Sequence, residues 1–299
     1  MDLLAILHEA PLLLAFYLFA IGLVVGSFLN VVIYRLPIMM KNEWERECRD
    51  MSADIEEQPI APDSSSDTFN LATPNSHCPG CKKSIRAWQN VPVFSYLALG
   101  GKCYNCATPI PIRYPTIEMS AGCAAVVCGF IYGAQPELLA VLALTWTLLV
   151  LAMIDVDHQL LPDSLTLPLL WLGLLVNYSG MFVPLQDAVL GAIFGYGSLW
   201  TVYWGFKLAT GKEGMGHGDF KLLAALGAWM GWQILPLIIV LSSLVGAVIG
   251  IGMIVLKGRD RSIPIPFGPY LAAAGWLALL WGQEIMAAYL HFSGLDGAG

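Results

Sequence analysis

The chain has 299 residues, of which 57% are hydrophobic and 12% are charged, and its formal net charge is −7. This composition, with a mean hydropathy of +0.66, excludes an ordinary soluble domain and indicates an integral membrane protein. The acidic balance argues against a nucleic-acid partner, because neutralising phosphates requires a basic excess.

Stretches of spanning or near-spanning length fall at residues 11–33, 116–133, 137–155, 164–181, 186–207, 220–233, 235–256 and 268–290. They predict an all-α polytopic membrane protein with about eight transmembrane helices. No lysine or arginine precedes the first stretch, and it is long enough to span, so we interpret it as a retained helix rather than a signal peptide. The sixth stretch is short, which predicts a half-depth or broken helix beginning at Asp219.

The first helix contains a GxxxG pair, Gly22 and Gly26, followed by Ser27 and Asn30. Small residues at this spacing let two helix backbones approach closely, and a neighbouring polar side chain can add a hydrogen bond. The pattern therefore predicts a tightly packed helix pair with a polar contact.

The cations define an orientation for this topology. Nine of the fifteen lysines and arginines lie between the first and second helices, and the other six are Lys207, Lys212, Lys221, Lys257, Arg259 and Arg261. With eight crossings, all fifteen fall on one side of the membrane. The positive-inside rule assigns that side to the cytoplasm and both termini to the opposite side.

The predicted division of the chain has four parts: a first transmembrane helix (1–34), a cytoplasmic loop (35–115), a membrane-embedded domain of seven helices (116–292) and a tail (293–299). The loop is rich in acid, serine and proline in its first half, which predicts mobility there. The segment from Arg35 to Arg49 is expected to continue the first helix along the membrane surface.

The second half of the loop contains two CxxC pairs, and their four cysteines are Cys78, Cys81, Cys103 and Cys106. Four thiolates satisfy tetrahedral Zn²⁺ without leaving an open position, so we expect a small zinc-binding domain with a structural role. A thiol–disulfide redox function is the alternative, and the reducing cytoplasm argues against it.

Acidic residues inside or beside the apolar stretches are few, and each needs a reason because a charge near hydrocarbon is costly. Asp163 follows Pro162, where it or Ser164 is expected to cap the fourth helix. Asp155 ends the third helix and Asp219 begins the sixth, so the predicted topology brings both to the cytoplasmic boundary. Asp157 is expected in the adjoining turn, where it can support Asp155.

Two carboxyl groups that meet at this boundary would share one proton, one acting as a base and the other as an acid. Such a pair can activate a water for attack on a peptide carbonyl and then protonate the leaving nitrogen. Gly216 and Gly218, just before Asp219, are expected to give the backbone unusual conformations and to let a substrate strand approach.

Two alternatives remain for the acids. Asp219 can serve as a helix cap alone, since the macrodipole favours a carboxylate there. The pair can also bind a cation or carry protons in an ion- or proton-coupled transporter.

The motifs together are similar to those of the type IV prepilin peptidases, the membrane-embedded aspartic proteases of the GxGD class. The resemblance is carried by GSFLNVVIYRLP at 26–37, the two CxxC pairs, IDVDHQLLPDSLTLPLLWLGLL at 154–175, GKEGMGHGDFKLLAALGAWMGW at 211–232 and IPIPFGPYLAAAGW at 263–276. It implies that Asp155 and Asp219 are the catalytic pair.

The resemblance also implies two activities at the bacterial inner membrane, with the active site facing the cytoplasm and both termini in the periplasm. One removes the short basic leader of prepilins or pseudopilins, and the other methylates the new N-terminal residue with S-adenosylmethionine. Gly101 and Lys102 are the cofactor-binding candidates by similarity, while their residue types are equally consistent with a turn entering the zinc site. Substrates and membrane lipids are the expected partners, and the oligomeric state stays open.

Overall fold

The computed structural model describes residues 10–56, 69–212, 214–257 and 265–292. The predicted tail 293–299, residues 57–68 of the loop, and the cations Arg259 and Arg261 lie outside that part of the chain. The α-helices of the described residues are α1 (Pro11–Glu56), α2 (Phe94–Ala98), α3 (Arg113–Tyr132), α4 (Pro136–His158), α5 (Asp163–Tyr178), α6 (Leu185–Thr210), α7 (His217–Met230), α8 (Leu235–Lys257) and α9 (Gly268–Phe292). A short 3-10 helix covers Ala87–Asn90. The all-α prediction is confirmed.

The chain forms two compact units, Met1–Ala134 and Gln135–Gly299. The N-terminal unit contains α1, α2, α3 and the cysteine loops. The C-terminal unit contains α4 to α9. The helix α3, which the predicted division grouped with the seven-helix domain, packs against α1 within the N-terminal unit.

Five helices of the described residues are long and apolar enough to cross a membrane, namely Pro11–Ser52 of α1, α3, α4, Leu235–Met253 of α8 and Gly268–Tyr289 of α9. The chain is therefore a multi-pass membrane protein. Helices also form at the other three predicted stretches, as α5, α6 and α7. The count of eight crossings stays a prediction.

The close packing predicted for the GxxxG pair is confirmed. A Cβ built on Gly22 would lie 2.6 Å from the Gly122 Cα, and one on Gly26 would lie 2.7 Å from the Glu118 Cα. The Asn30 side chain supplies the polar contact, donating to the Tyr114 carbonyl over 3.1 Å. Because the added methyl groups would meet backbone atoms, only glycine permits this separation of α1 and α3.

The helix α1 runs through Pro37 and extends well past the apolar stretch 11–33. The expected continuation from Arg35 to Arg49 is therefore helical. Arg35 is buried where the apolar part of α1 ends, and its guanidinium donates to the carbonyls of Asn70, Leu71 and Pro74. This contact ties the described part of the loop to α1.

The short helix α7 is the core of the C-terminal unit. Its 14 residues extend about 21 Å, less than the roughly 30 Å hydrocarbon thickness of a bilayer. Phe220, Leu223 and Trp229 are completely buried. Helices α5, α6 and α9 pack against α7, so this helix is surrounded by protein. A short helix is tolerated at membrane depth when protein covers it.

The backbones of α6 and α7 touch at a pair of glycines. A Cβ on Gly191 would lie 2.2 Å from the Gly227 carbonyl oxygen, and one on Gly227 would lie 2.1 Å from the Gly191 oxygen. Neither backbone can yield without separating the two helices.

Asn177, at the end of α5, holds the end of α7. Its buried amide nitrogen donates to the carbonyls of Ala228 and Trp229, and its amide oxygen accepts from the N–H groups of Phe182 and Val183. The last carbonyls of a helix have no partner within it, so this one side chain satisfies two of them.

We expect Asn177→Ala to lower the free energy of unfolding by about 3 kcal/mol, because it leaves buried backbone groups unpaired. Thermal unfolding of the detergent-purified protein measures the loss. The matched control is Ser179→Ala, an exposed residue nearby with one hydrogen bond to Val176, which should change stability by less than about 0.5 kcal/mol. Equal stability of both variants would contradict the role assigned to Asn177.

Candidate active site and metal centre

Asp155 lies in the last turn of α4 and is 6% exposed. Its Oδ2 atom accepts a hydrogen bond of 2.9 Å from the backbone N–H of Gly268, the first residue of α9. The amide groups at the beginning of a helix have no partner within it, so this one is free to hold a carboxylate. The contact joins two helices more than 100 residues apart in the chain.

Asp219 lies in the first turn of α7 and is also 6% exposed. The backbone amide of Gly216, the residue that precedes the helix, interacts with its carboxyl group. The residue at the cap position is Gly216, α7 has no side-chain cap, and Asp219 is already helical, so the helix-cap alternative from the sequence is not borne out. The first turn remains a favourable place for a carboxylate, and the same side chain also interacts with Asp155.

The carboxyl groups of Asp155 and Asp219 interact electrostatically in this structure. The beginnings of α7, which carries Asp219, and of α9, which contacts Asp155, both pack against Leu161. A Cβ on Gly218 would lie 2.7 Å from the Leu161 Cβ, and one on Gly268 would lie 3.2 Å from its Cδ2. The arrangement gives a buried pair of acids from the ends of two helices that are distant in the sequence.

The expected reason for the glycines before Asp219 is wrong in its conformational part. Gly216 has φ −79° and ψ 147°, which any residue adopts, and Gly218 lies within the helix. Gly218 is required for space, because Leu161 leaves no room for a side chain. The group that lies against Gly218 in this structure is therefore the Leu161 side chain, whereas the approach of a substrate strand stays a prediction.

The capping role expected for Asp163 or Ser164 is also wrong. Pro162 precedes the first residue of α5, with no side-chain cap, and Asp163 is already helical. Both carboxylate oxygens of Asp163 accept from the Lys221 ammonium over 2.7 Å. The pair links the first turns of α5 and α7. The expected place of Asp157 in the turn after α4 is wrong, because Asp157 is exposed within the last turn of α4; its supporting role stays a prediction.

The four cysteines predicted as metal ligands converge. Their Sγ atoms all lie within 4.8 Å of one another, and those of Cys78 and Cys106 are 3.7 Å apart. Zinc–sulfur bonds of about 2.3 Å in a tetrahedron place the sulfurs about 3.8 Å apart. The cluster therefore fits a metal ion with four thiolate ligands.

The two cysteine loops have the same backbone structure. In the first, Cys78 N–H donates to Lys83 O and Lys82 N–H donates to Cys78 O; the equivalent bonds recur 25 residues further along, beginning at Cys103. The residue after each second cysteine, Lys82 or Ala107, has a positive φ. Each loop thus directs a pair of sulfurs toward the same point.

Thr108 supports the metal site. Its hydroxyl lies 3.1 Å from the Cys106 sulfur, and together with its backbone N–H it lowers the pKa of Cys106 to about 6. A metal binds the thiolate form, so this contact favours ligation. Gly80 is close by, because a Cβ there would lie 2.6 Å from the Thr108 hydroxyl oxygen.

We expect the purified protein to contain one bound zinc ion per chain, and Cys103→Ser to lose most of it, because three thiolates leave the tetrahedron open. Elemental analysis measures the metal content. The matched control is Cys48→Ser, which removes an exposed thiol from α1, outside the cluster. Equal metal content in the two variants would contradict the assignment.

Gly101 and Lys102 form a turn at the entrance to the second cysteine loop. Gly101 has φ +68°, its N–H donates to the Tyr96 carbonyl, and Lys102 forms a β-bridge with Pro109. A Cβ on Gly101 would lie 3.0 Å from the Tyr96 ring. This is the turn that the sequence offered as the alternative to cofactor binding, and the binding role stays a prediction.

Gly268 and Leu161 were missed by the sequence reasoning. Gly268 stands in the quoted motif IPIPFGPYLAAAGW, but its contact with Asp155 had no signal there, since it depends on how α9 packs against α4. Leu161 is one apolar residue among many.

The fold and the site define a multi-pass membrane protein with two interacting buried carboxyl groups and a four-cysteine cluster. The model for the bacterial Peptidase A24 N-terminal domain matches residues 20–132, and the model for the type IV leader peptidase family matches residues 142–251.

Relatives from three bacteria match along almost the whole chain, and each is named prepilin leader peptidase/N-methyltransferase. The relative from Pseudomonas aeruginosa is 54% identical and covers 98% of this chain and 99% of its own. Those from Stutzerimonas stutzeri and Aeromonas hydrophila are 54% and 52% identical and cover 97% and 96% of this chain and 98% of their own. No solved structure matches it. The chain belongs to the type IV leader peptidase family, as its motifs predicted.

Proposed function

We propose that this chain is a membrane-embedded aspartic endopeptidase that removes the leader of prepilins or pseudopilins and then methylates the new N-terminal residue. The interaction of the buried Asp155 and Asp219 carboxyl groups is the observation that supports the peptidase activity. The names of the relatives support both activities. They give no support to an ion- or proton-coupled transporter.

Hydrolysis by this pair requires one shared proton. The ionised carboxyl group takes a proton from water as the water oxygen bonds to the scissile carbonyl carbon. The protonated group first stabilises the carbonyl oxygen, and a proton then passes to the nitrogen as the C–N bond breaks. The products are the leader, which ends in a carboxylate, and the mature chain, which begins with an amine.

The protein holds each acid for this task by a backbone amide from the start of a helix. Gly268 N–H holds Asp155 by a hydrogen bond, and the Gly216 amide interacts with the Asp219 carboxyl group. Neither carboxylate is paired with a cation by these contacts, so a proton can move between the acids and the substrate.

The four cysteines are proposed to hold structural zinc. With all four positions filled by sulfur, a bound ion would have no open site for water and would take no part in hydrolysis. S-adenosylmethionine, when bound, supplies the methyl group for the new amine. The proposed location is the bacterial inner membrane, with cleavage at the cytoplasmic face, both termini in the periplasm and membrane lipids around the helices.

The test is incubation of the purified protein with a prepilin-like peptide, with and without S-adenosylmethionine, followed by mass measurement. We expect loss of the leader in both samples and addition of one methyl group in the second. An uncut peptide, in the presence of protein that unfolds cooperatively on heating, would overturn the proposal.

A further inference from the structure

The N-terminal unit contains a cavity of about 490 Å³, between α1, α3 and the two cysteine loops. This volume lies in the range of small-molecule sites, roughly 300–1,000 Å³. The cavity lining includes Asn30, Arg35, Glu118, Tyr34, Tyr96 and Tyr104. Asp155 and Asp219 are not among its lining residues, so the peptidase chemistry does not account for this cavity.

Glu118 gives the cavity a buried acidic group, 8% exposed. Its carboxylate accepts a hydrogen bond of 2.7 Å from the Val93 N–H and interacts with the Ser27 hydroxyl, and both groups are uncharged. Within the described part of the chain, no lysine or arginine forms an ion pair with it. Arg35 also lines the cavity, but its guanidinium is bonded to loop carbonyls. A buried carboxylate without a countercharge is suited to a cationic ligand.

The backbone around Val93 is held in an unusual conformation for this contact. Val93 has φ +58°, a region that β-branched residues rarely adopt. Its N–H is the donor to Glu118. Strained residues of this kind persist where surrounding contacts fix them, and they concentrate at functional sites.

The cavity also contains aromatic surfaces. Tyr34 and Tyr104 are 62% and 65% exposed, so their rings are accessible, and Trp88 supports Tyr104 by edge contact at 5.5 Å. Aromatic rings stack on nucleobases and attract cations. A negative group and aromatic rings in a small cavity match a ligand that combines a base with positive charge.

We propose that this cavity binds S-adenosylmethionine, with Glu118 recognising the positive charge of the donor and the tyrosines contacting its adenine. This inference rests on the proposed methyltransferase activity and assigns its donor-binding site to the cavity of the N-terminal unit. Gly101 and Lys102 are not among the lining residues, whereas Tyr96 is. Gly101 acts through Tyr96, since a side chain at Gly101 would press on that ring.

The first test is calorimetric titration of the full chain, in nanodiscs, with S-adenosylmethionine. We expect Glu118→Gln to weaken binding at least about tenfold, since a charge-assisted contact is lost. The matched control is Glu45→Gln, which removes an exposed carboxylate on α1 and should bind as the unsubstituted protein does. Equal affinity in both variants would overturn the proposal.

The second test needs no substitution, so it remains decisive even if the Glu118→Gln variant fails to fold. Ultraviolet irradiation of the unsubstituted protein with radiolabelled S-adenosylmethionine should label peptides containing Tyr34, Tyr96 or Tyr104. If other peptides are labelled instead, and unlabelled S-adenosylmethionine suppresses that labelling, the assignment of the donor to this cavity is overturned. The methyltransferase proposal would then remain intact. Absence of both binding and methylation by the unsubstituted protein would overturn the two together.

Discussion

Asp155→Asn and Asp219→Asn are each expected to reduce cleavage of a prepilin-like peptide by about a thousandfold or more. An amide can neither take a proton from water nor share one with its neighbour, so either change removes both halves of the acid–base cycle. Each substitution keeps the size of the side chain. The rate is measured by the mass of the products under single-turnover conditions.

Asp157→Asn is the matched comparison, because Asp157 is exposed two residues from Asp155 in the same helix and is predicted only to support it. It should retain most of the activity. All three variants should melt cooperatively, which separates a chemical defect from misfolding. Full activity of either Asp155→Asn or Asp219→Asn would refute the hydrolytic role of the pair.

Gly268→Ala is expected to lower the rate of cleavage by about a hundredfold, the cost of displacing a catalytic group by about 1 Å. The added Cβ would lie 2.6 Å from the Asp155 Oδ2 and 3.0 Å from its Cγ. The carboxylate must therefore move away from the amide that holds it. Because the substitution leaves the acid present but misplaced, kcat should fall more than KM rises.

Gly197→Ala provides the comparison for this prediction. Gly197 lies within α6, and, apart from its chain neighbours and the nearby helix backbone, no atom of the residues that the structure describes lies within 4 Å of a Cβ built there. This variant should cleave the peptide normally. If Gly268→Ala does the same, Gly268 is not a positioning residue for Asp155.

The helices were predictable because the burial of apolar residues in a bilayer is a local property of the sequence. A stretch of sufficient apolar length forms a helix there, whatever its neighbours are. The convergence of the four cysteines was equally predictable, since each CxxC pair is a local turn and the four sulfurs suit one ion. The tight contact of Gly22 and Gly26 with α3 followed from their spacing.

The contacts between distant segments were not predictable in the same way. The ion pair of Asp163 with Lys221 replaced an expected helix cap, because α5 and α7 lie side by side only in the folded unit. Position 218 requires glycine because Leu161 leaves no room for a side chain, and Leu161 lies outside the GxGD motif.

The sequence by itself determined that this is an all-α membrane protein with a cysteine-ligand site and a pair of candidate acids, because hydropathy, CxxC spacing and the GxGD motif are each read within a short window. The tertiary structure decided that α7 is enclosed by protein, that Gly268 holds Asp155, and that Glu118 faces a cavity. These three features depend on helices remote in the chain meeting at chosen residues. Packing settles such contacts through the shape of the whole unit, which no short segment specifies.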